Sequence, residues 1–464
     1  MGHASRLIAS AVIAAAWLPA NVQAADDVAA LRAEIAALKA DYAQRVGALE
    51  ARIDQLEAAS SATVAAAPAE PEPPPPPAAA PARGSSAFNP SISVILAGNY
   101  ADLSQDPADY HFAGFMPNGG EIGPGERSFN LGESEVTFAA SVDPYFTAAL
   151  TMALSGEGDI GVEEAFFRTT SLPAGFSIKG GRFFSGFGYL NEIHAHAWDF
   201  VDQPLVYQAF YAGQYGQDGV QVKWLAPTDL FLEFGAETGN GAEFPGTRLG
   251  RNGLNGTTLF AHLGGDLGDS IGWRAGPSWM DMDAEDRAYE DVDSLGMPVV
   301  NAFTGSSQTW IADATFKWTP ASSTRRSALK LQAEYMRRTE DGSLAFDVDG
   351  AGLSDSFRSV QEGWYVQGVY QFNPRWRFGL RYDELDSGNT RIGLVQDGEL
   401  LASDFPLLLP ASPSRVTTMI DFSPSEFSRL RMQYAWDDAR DAATDRQLLL
   451  QYIYALGALG AHKF

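Results

Sequence analysis

The segment 184–217 of this 464-residue chain carries the side chains best suited to metal chemistry. Two histidines stand two positions apart among acidic residues, and a loop can bring positions i and i+2 together. Imidazole and carboxylate groups are ligands of Zn²⁺ and similar ions, but they serve equally as hydrogen-bonding anchors that hold a loop in place. The pattern therefore leaves two hypotheses, a metal site at the histidines or a polar anchor. The candidates are Glu192, His194, His196, Asp199 and Asp202.

A second group of basic residues alternates with apolar residues. Arg377 and Arg381, for example, are out of phase with Phe378 and Leu380. Successive side chains of a strand point to opposite faces, so the basic groups share the face opposite the apolar one. Arginine is planar and always charged, which suits carboxylates and phosphates, so this face is expected to attract anions. Carboxylates such as Glu334 share that face, and a balanced polar wall is the alternative. The residues are Arg168, Lys223, Lys330, Arg338, Arg375, Arg377, Arg381, Arg429 and Arg431.

Composition excludes several classes of protein. The absence of cysteine rules out a disulfide scaffold, a Cys-ligated zinc site and a thiol nucleophile. Neither Gly-x-Ser-x-Gly nor His-Glu-x-x-His occurs, so we expect no enzymatic activity and no cofactor. A formal net charge of −26 argues against a nucleic-acid partner. Much of this acidity falls in the segments 281–293 and 383–404. These acidic segments are predicted to form an exposed rim. The alternative is that they bind divalent cations beside lipopolysaccharide.

Sixteen segments between residues 91 and 457 alternate apolar with polar or small residues, which predicts strands. Tight turns such as Asp143-Pro144 and Asn373-Pro374 follow the even-numbered segments. Long polar connections follow most odd-numbered ones, namely 101–128, 184–217, 239–256, 281–307, 339–361 and 385–414. Short turns on one side, long loops on the other and an even strand count are typical of a closed transmembrane barrel. The prediction is an all-β, 16-stranded antiparallel transmembrane β-barrel.

The N-terminal quarter has a different organisation. Residues 1–24 predict a secretory signal peptide, with Arg6 before an apolar stretch and a small-residue ending at Ala24. Residues 25–60 place apolar residues three and four positions apart, which predicts a self-associating α-helical coiled coil or, alternatively, a helix lying on the barrel. Residues 61–87 are rich in alanine and proline and predict an extended linker. The barrel then occupies 88–464.

Residues 88–464 resemble the Gram-negative general and phosphate-selective porin superfamily. The stretch Gly180-Gly181-Arg182-Phe183-Phe184-Ser185-Gly186-Phe187-Gly188 resembles the strand-to-loop passage of the phosphate-selective type, with Gly186 where proline is common. The N-terminal helix and linker resemble the periplasmic stalk of trimeric porins. The alternating last strand and Phe464 resemble the assembly signal of outer-membrane barrels.

The resemblance implies a homotrimer in the outer membrane, among lipid and lipopolysaccharide, with its stalk in the periplasm. It implies that the third long loop, 184–217, folds inward and narrows the pore. The expected function is passive diffusion of small hydrophilic, mainly anionic, solutes past the basic residues. The alternatives are a divalent-metal (zinc) uptake channel and a tether between the outer membrane and the cell wall, with peptidoglycan as partner.

Overall fold

The computed structural model describes residues 90–120, 122–154, 158–247, 252–320, 327–440 and 443–457. The predicted signal peptide, coiled coil and linker, as well as Phe464, lie outside these residues. Among the described residues, no helix has the length and apolar character needed to cross a membrane.

In the described part of the chain, sixteen antiparallel strands form one closed sheet, as predicted. The first strand pairs with the last, where Ser93 lies opposite Gly457 and Leu103 opposite Gln447. The second strand consists of two segments separated by Gly132 and Glu133, both paired with the first. The strands are β1 (Ser91–Leu103), β2 (Ser128–Leu131 and Ser134–Ser141), β3 (Phe146–Leu154), β4 (Ile160–Thr169), β5 (Phe176–Phe184), β6 (Gly216–Leu225), β7 (Phe231–Gly239), β8 (Gly256–Leu267), β9 (Ile271–Val292), β10 (Pro298–Trp318), β11 (Ala328–Phe346), β12 (Leu353–Asn373), β13 (Trp376–Ile392), β14 (Ser414–Ser425), β15 (Ser428–Asp438) and β16 (Asp445–Gly457).

The outer face of the barrel carries an apolar band between two rows of aromatic rings. On β12 this band runs from Trp364 to Phe372, about nine residues, which is the length with which a tilted strand crosses a bilayer. Trp364 packs on Tyr382 at one border, with 5.4 Å between ring centroids. Trp376 packs on Phe422 at the other border, at 4.7 Å. Paired aromatic belts around an apolar band are typical of barrels in outer membranes.

Five strands are much longer than predicted. Strands β9 to β13 contain 22, 21, 19, 21 and 17 residues, and they occupy most of the predicted loops 281–307, 339–361 and part of 385–414. Their connections shrink to 293–297, 347–352 and 393–413. Beyond the apolar band their outward side chains are mostly polar or charged, as in the cross-strand pair Arg358–Asp341 at 3.2 Å. The prediction was wrong there because a strand that is polar on its outer face loses the apolar alternation.

The connection between β5 and β6, residues 185–215, folds into the lumen; we call it loop L3. It contains the helix α1 (Leu205–Tyr211), in which every residue is buried. Ala212 ends the helix in the left-handed conformation, and its N–H donates to Tyr207 O. Apolar side chains of L3 pack against the inner faces of β9 to β13. This core includes Phe187, Leu190, Leu205, Val206, Tyr207, Phe210, Met280, Met282, Ile311, Met336, Tyr365 and Leu385.

The remaining helical elements are short. Helix α2 (Gly393–Gln396) lies in the connection after β13. Single 3₁₀ turns lie at Pro107–Asp109, Pro173–Gly175, Ala195–Ala197, Ala402–Asp404 and Pro406–Leu408. The first connection, 104–127, also turns inward and adds Phe112 and Phe115 to the core around α1.

Candidate functional site

L3 meets the inner wall of β11 to β15 through two buried carboxylates. Asp199 pairs with Arg377 at 3.0 Å and with Lys330. Burial opposes ionisation of Asp199, but the two cations outweigh it and lower the pKa of this carboxyl to about 2. Asp202 pairs with Arg381 at 2.8 Å and with Arg415 at 2.7 Å. The pKa of Asp202 is also lowered, because the two arginines favour the ionised carboxylate more than burial disfavours it. Both carboxylates are therefore charged anchors.

Arginines also hold the backbone of L3 directly. Arg431 donates to Trp198 O at 2.9 Å while it pairs with Asp421 at 2.7 Å. Arg429 donates to His196 O at 2.5 Å. Carbonyl groups of a loop inside a barrel need such donors, because an unpaired buried carbonyl is costly. This stretch of L3 is thus tied to β15 by main-chain contacts as well as by ion pairs.

The predicted basic residues fall into three situations. Arg377, Arg381, Arg429 and Arg431 lie buried beneath L3, with Lys330 beside them. Arg338 stacks on the Phe210 ring at 4.5 Å and donates to Gln361 at 2.7 Å, and Lys223 pairs with Glu192 at 3.2 Å. Arg168 is exposed, opposite Lys179 in register. Arg375 is exposed in the turn before β13, so its predicted place on the strand was wrong.

The basic wall beneath L3 is almost neutralised. Five of its six cationic side chains form ion pairs with five carboxylates, and the sixth, Arg429, donates to a backbone carbonyl. The net excess of this cluster is therefore one positive charge. The cations are Lys330, Arg377, Arg381, Arg415, Arg429 and Arg431, and the carboxylates are Asp199, Asp202, Asp383, Asp421 and Asp437.

Two wall glutamates bind the first residues of L3, and one of them also binds helix α1. Glu334 accepts hydrogen bonds from Tyr189 N at 3.1 Å and from the Tyr207 hydroxyl at 2.8 Å. Glu237 accepts from Gly186 N at 2.8 Å and from the Ser185 hydroxyl at 2.5 Å. Each carboxylate satisfies several donors of the loop at once, which fixes where L3 enters the lumen.

The histidines of L3 lie on the other side of the lumen, against β2 and β4. His194 Nδ1 is 3.3 Å from Glu135 and 3.2 Å from Glu163, and its Nε2 is 3.0 Å from Glu164. His196 Nδ1 is 2.7 Å from Glu135. Burial disfavours the charged imidazole, but hydrogen bonds to the three glutamates outweigh it and raise the pKa of His194 well above its ordinary value.

Exposure differs between the two sides of L3. The side chains of Arg381, Arg415 and Arg431 are each 1% exposed, whereas those of His194 and Glu192 are 20% and 36% exposed. These L3 side chains that remain partly exposed therefore face β2 to β7, whereas the arginines of β13 to β15 are covered.

Sequence reasoning missed three residues of this site. Arg415 and Arg274 alternate with the apolar Val416 and Trp273, the same signal that identified their neighbours. Arg274 donates to Gly188 O at 2.7 Å. Asp383 was expected on the exposed acidic rim, and that expectation was wrong. It is buried at the base of α1, where it accepts the Leu205 N–H at 3.0 Å.

Several solved outer-membrane proteins are similar to this chain in architecture. The channel DcaP of Acinetobacter baumannii has a TM-score of 0.49 at 13% identity, over 79% of this chain and 97% of that one. The anion-selective porin of Comamonas acidovorans has a TM-score of 0.48 at 9% identity, over 79% and 99%. OprB of Pseudomonas putida has a TM-score of 0.46 at 14% identity, over 79% and 94%.

No family model matches the sequence. A protein of Aquifex aeolicus (strain VF5), described as uncharacterized, is 31% identical over 405 residues. The match covers 82% of this chain and 80% of the Aquifex protein, so it includes most of the barrel. This chain and the Aquifex aeolicus protein therefore belong to one family.

Proposed function

We propose that the protein is a non-enzymatic outer-membrane channel through which small hydrophilic solutes diffuse passively. The observation that carries the proposal is the closed sixteen-stranded barrel, apolar outside, with charged groups and a folded loop inside. A sheet closed on itself satisfies its backbone hydrogen bonds in lipid, and a polar interior supports passage of water and solutes. The barrel is proposed to work as a homotrimer among outer-membrane lipid and lipopolysaccharide.

The proposed passage runs between L3 and the wall of β2 to β7. Support comes from the partial exposure of His194 and Glu192 there, against the burial of the arginines on the opposite side. Lys223 pairs with Glu192 at 3.2 Å and with Glu233 at 3.7 Å, so ion pairs line this passage. In this arrangement L3 sets the width of the channel, and β13 to β15 hold L3.

The proposed preference for anions is weak. It rests on the single excess positive charge of the wall beneath L3, since five carboxylates offset the six cations there. Those cations act on a passing solute through the field of the cluster and not by direct contact. Salt screens such a field over about 8–10 Å, so the preference should shrink as ionic strength rises.

Planar-bilayer recordings on the purified full-length chain test this function. The expected result is step-like conductance, with a reversal potential in a KCl gradient that indicates slight anion preference. Arg377→Ala and Arg429→Ala should each move the reversal potential toward cations, because each removes a positive charge from the wall. Exposed Arg358→Ala is the control. A folded protein without conductance would refute the channel, and cation preference unchanged in both variants would refute the anion preference.

A second candidate function is uptake of divalent metal ions such as Zn²⁺. It is favoured by one observation, the convergence of Glu135 and Glu163 on His194 beside the proposed passage. Liposomes loaded with a zinc-sensitive dye distinguish the two functions. Saturable Zn²⁺ entry that is lost in His194→Ala plus His196→Ala would identify metal as the solute, whereas entry that rises linearly with concentration indicates general diffusion.

The third role, a tether to peptidoglycan, depends on residues 25–87, which lie outside the described part of the chain. We propose it as an addition to the channel, with the helix of 25–60 as a periplasmic stalk. Co-sedimentation with purified peptidoglycan, lost on deletion of 25–87 while conductance remains, is the expected result.

A further inference from the structure

We propose that His194, Glu135 and Glu163 bind a first-row divalent metal ion that clamps L3 to the barrel wall. The ion would remain bound as a structural part of the fold. This property is separate from solute passage, and the proposal does not depend on solute passage. One nitrogen and two carboxylate oxygens, one from each residue, lie within 4.8 Å of one another. The three residues come from L3, β2 and β4, so one ion would join three elements.

The two distances from His194 to the glutamates are compatible with a shared ion. His194 Nδ1 is 3.3 Å from Glu135 Oε2 and 3.2 Å from Glu163 Oε2. Charge-assisted N–H···O bonds are usually about 2.7–2.9 Å long, and here one Nδ1 faces two carboxylate oxygens at longer distances. Ligands placed about 2.0–2.2 Å from Zn²⁺ in a tetrahedron lie roughly 3.3–3.5 Å from each other.

The outer contacts prepare these groups to be ligands. His194 Nε2 is 3.0 Å from Glu164, so Nε2–H donates to that carboxylate, and Nδ1 can become a metal ligand once it loses its proton. His196 Nδ1 is 2.7 Å from Glu135 Oε1, which orients the second carboxylate. A histidine ligand whose other nitrogen donates to a carboxylate is the usual arrangement at metal sites. Metal binding would release the Nδ1 proton to solvent.

The site also lacks the cations found elsewhere in the lumen. Within the described residues, Glu135, Glu163 and Glu164 form ion pairs with the two histidines and with no lysine or arginine. Glu133, whose carboxyl interacts with Glu163, keeps a buried oxygen without a hydrogen-bond partner. Several carboxyl groups buried close together are costly when ionised, and a divalent cation would offset their charge.

An entry path adjoins the site. Strands β4 and β5 pair only from Ala165 to Arg168, and past that point Arg182 reaches Val162 O at 3.2 Å across the gap. A cavity of about 160 Å³ lies there, lined by Glu163 together with Arg182, Phe184, Gln217, Asp218 and Glu243. It is large enough for several water molecules, so a hydrated ion can approach and a water can complete the coordination.

The test uses the full-length, tag-free protein in detergent and Zn²⁺ as the probe. Isothermal titration and metal analysis after gel filtration should give one Zn²⁺ per chain. Co²⁺ in its place should give the visible absorption of a tetrahedral nitrogen–oxygen site. Glu163→Gln and His194→Gln should each weaken binding about tenfold or more. His262→Gln is the matched control, because His262 pairs with one glutamate, Glu233, at 3.3 Å.

Folding of each variant is checked by its heat-modifiable mobility in electrophoresis. Zn²⁺ should raise the unfolding temperature of the wild type and leave that of Glu163→Gln unchanged. The proposal is overturned if the folded wild type binds no Zn²⁺ at micromolar concentration. It is also overturned if both variants bind as tightly as the His262→Gln control. Conductance is measured separately, so failure of the metal clamp and failure of the channel are distinguishable.

Discussion

Replacement of Asp199 by asparagine is the sharpest perturbation of the contact between L3 and the wall. The carboxylate is 6% exposed, pairs with Arg377 at 3.0 Å and also contacts Lys330. The asparagine side chain has the same shape but no charge. Arg377 retains Asp421 as a partner, so one of the two cations keeps an ion pair in the variant.

The expected magnitude follows from the pKa of Asp199. A fall from 3.8 to about 2 corresponds to roughly 2–3 kcal/mol of favourable interaction with the ionised carboxyl. Removal of one partner from a buried ion pair generally costs about 3–5 kcal/mol. Because Arg377 keeps Asp421 as a partner, we expect the smaller of these two energies, the one derived from the pKa of Asp199. It corresponds to a change of about 30–100-fold in the equilibrium between docked and undocked L3.

Hydrogen exchange of the backbone amides of L3 measures this equilibrium directly. In Asp199→Asn, amides near residues 198–205 should exchange about 30–100-fold faster, while those of the β12 and β13 ladders should be unchanged. Asp349→Asn is the control, since Asp349 is an exposed turn residue and loses the same charge. Unchanged exchange in L3 of a folded Asp199→Asn protein would refute the anchoring role, as would an equal effect in the control.

Two further outcomes are expected. Gly188 has a φ of +62°, and a Cβ there would lie 2.3 Å from Glu334 Oε2, so Gly188→Ala should displace that anchor and speed chymotryptic cleavage within L3. Without a bound metal ion, the raised pKa of His194 stabilises the fold fully below pH 6.5, and this stabilisation is lost as pH rises through the folded-state pKa. The unfolding temperature should accordingly fall at alkaline pH, and less so in His194→Gln.

The sequence predicts the barrel because lipid imposes a strict pattern. Leu380 and Phe378 must face hydrocarbon, so Arg377 and Arg381 between them must face inward, and period-two alternation makes this visible. Outside the membrane that constraint disappears. Near the end of β11 and the start of β12, Asp341 pairs with Arg358 on the outer face of the barrel. Because the outward residues there are not apolar, the sequence shows no alternation of apolar and polar residues.

The partners inside the lumen could not be predicted from the sequence in the same way. Asp202 and Arg415 are 213 positions apart, and their 2.7 Å contact depends on how L3 enters the barrel. That path is set by Glu237 and Glu334, which hold backbone N–H groups and hydroxyls rather than charged residues. The residue types identified the charged side chains of the site, but only the folded loop brings each carboxylate next to its arginine.

The two sides of L3 should therefore respond differently to substitution. Glu192 is 36% exposed and pairs with Lys223 at 3.2 Å, so Glu192→Gln removes a charge from the proposed passage without disturbing the buried anchors. We expect this variant to shift the reversal potential toward anions while hydrogen exchange at residues 198–205 stays at the wild-type rate. Asp199→Asn should do the opposite, with faster exchange as its main effect. If Glu192→Gln changes exchange and leaves the reversal potential unaltered, solutes do not pass along β2 to β7, and the assignment of anchor and passage must be reversed.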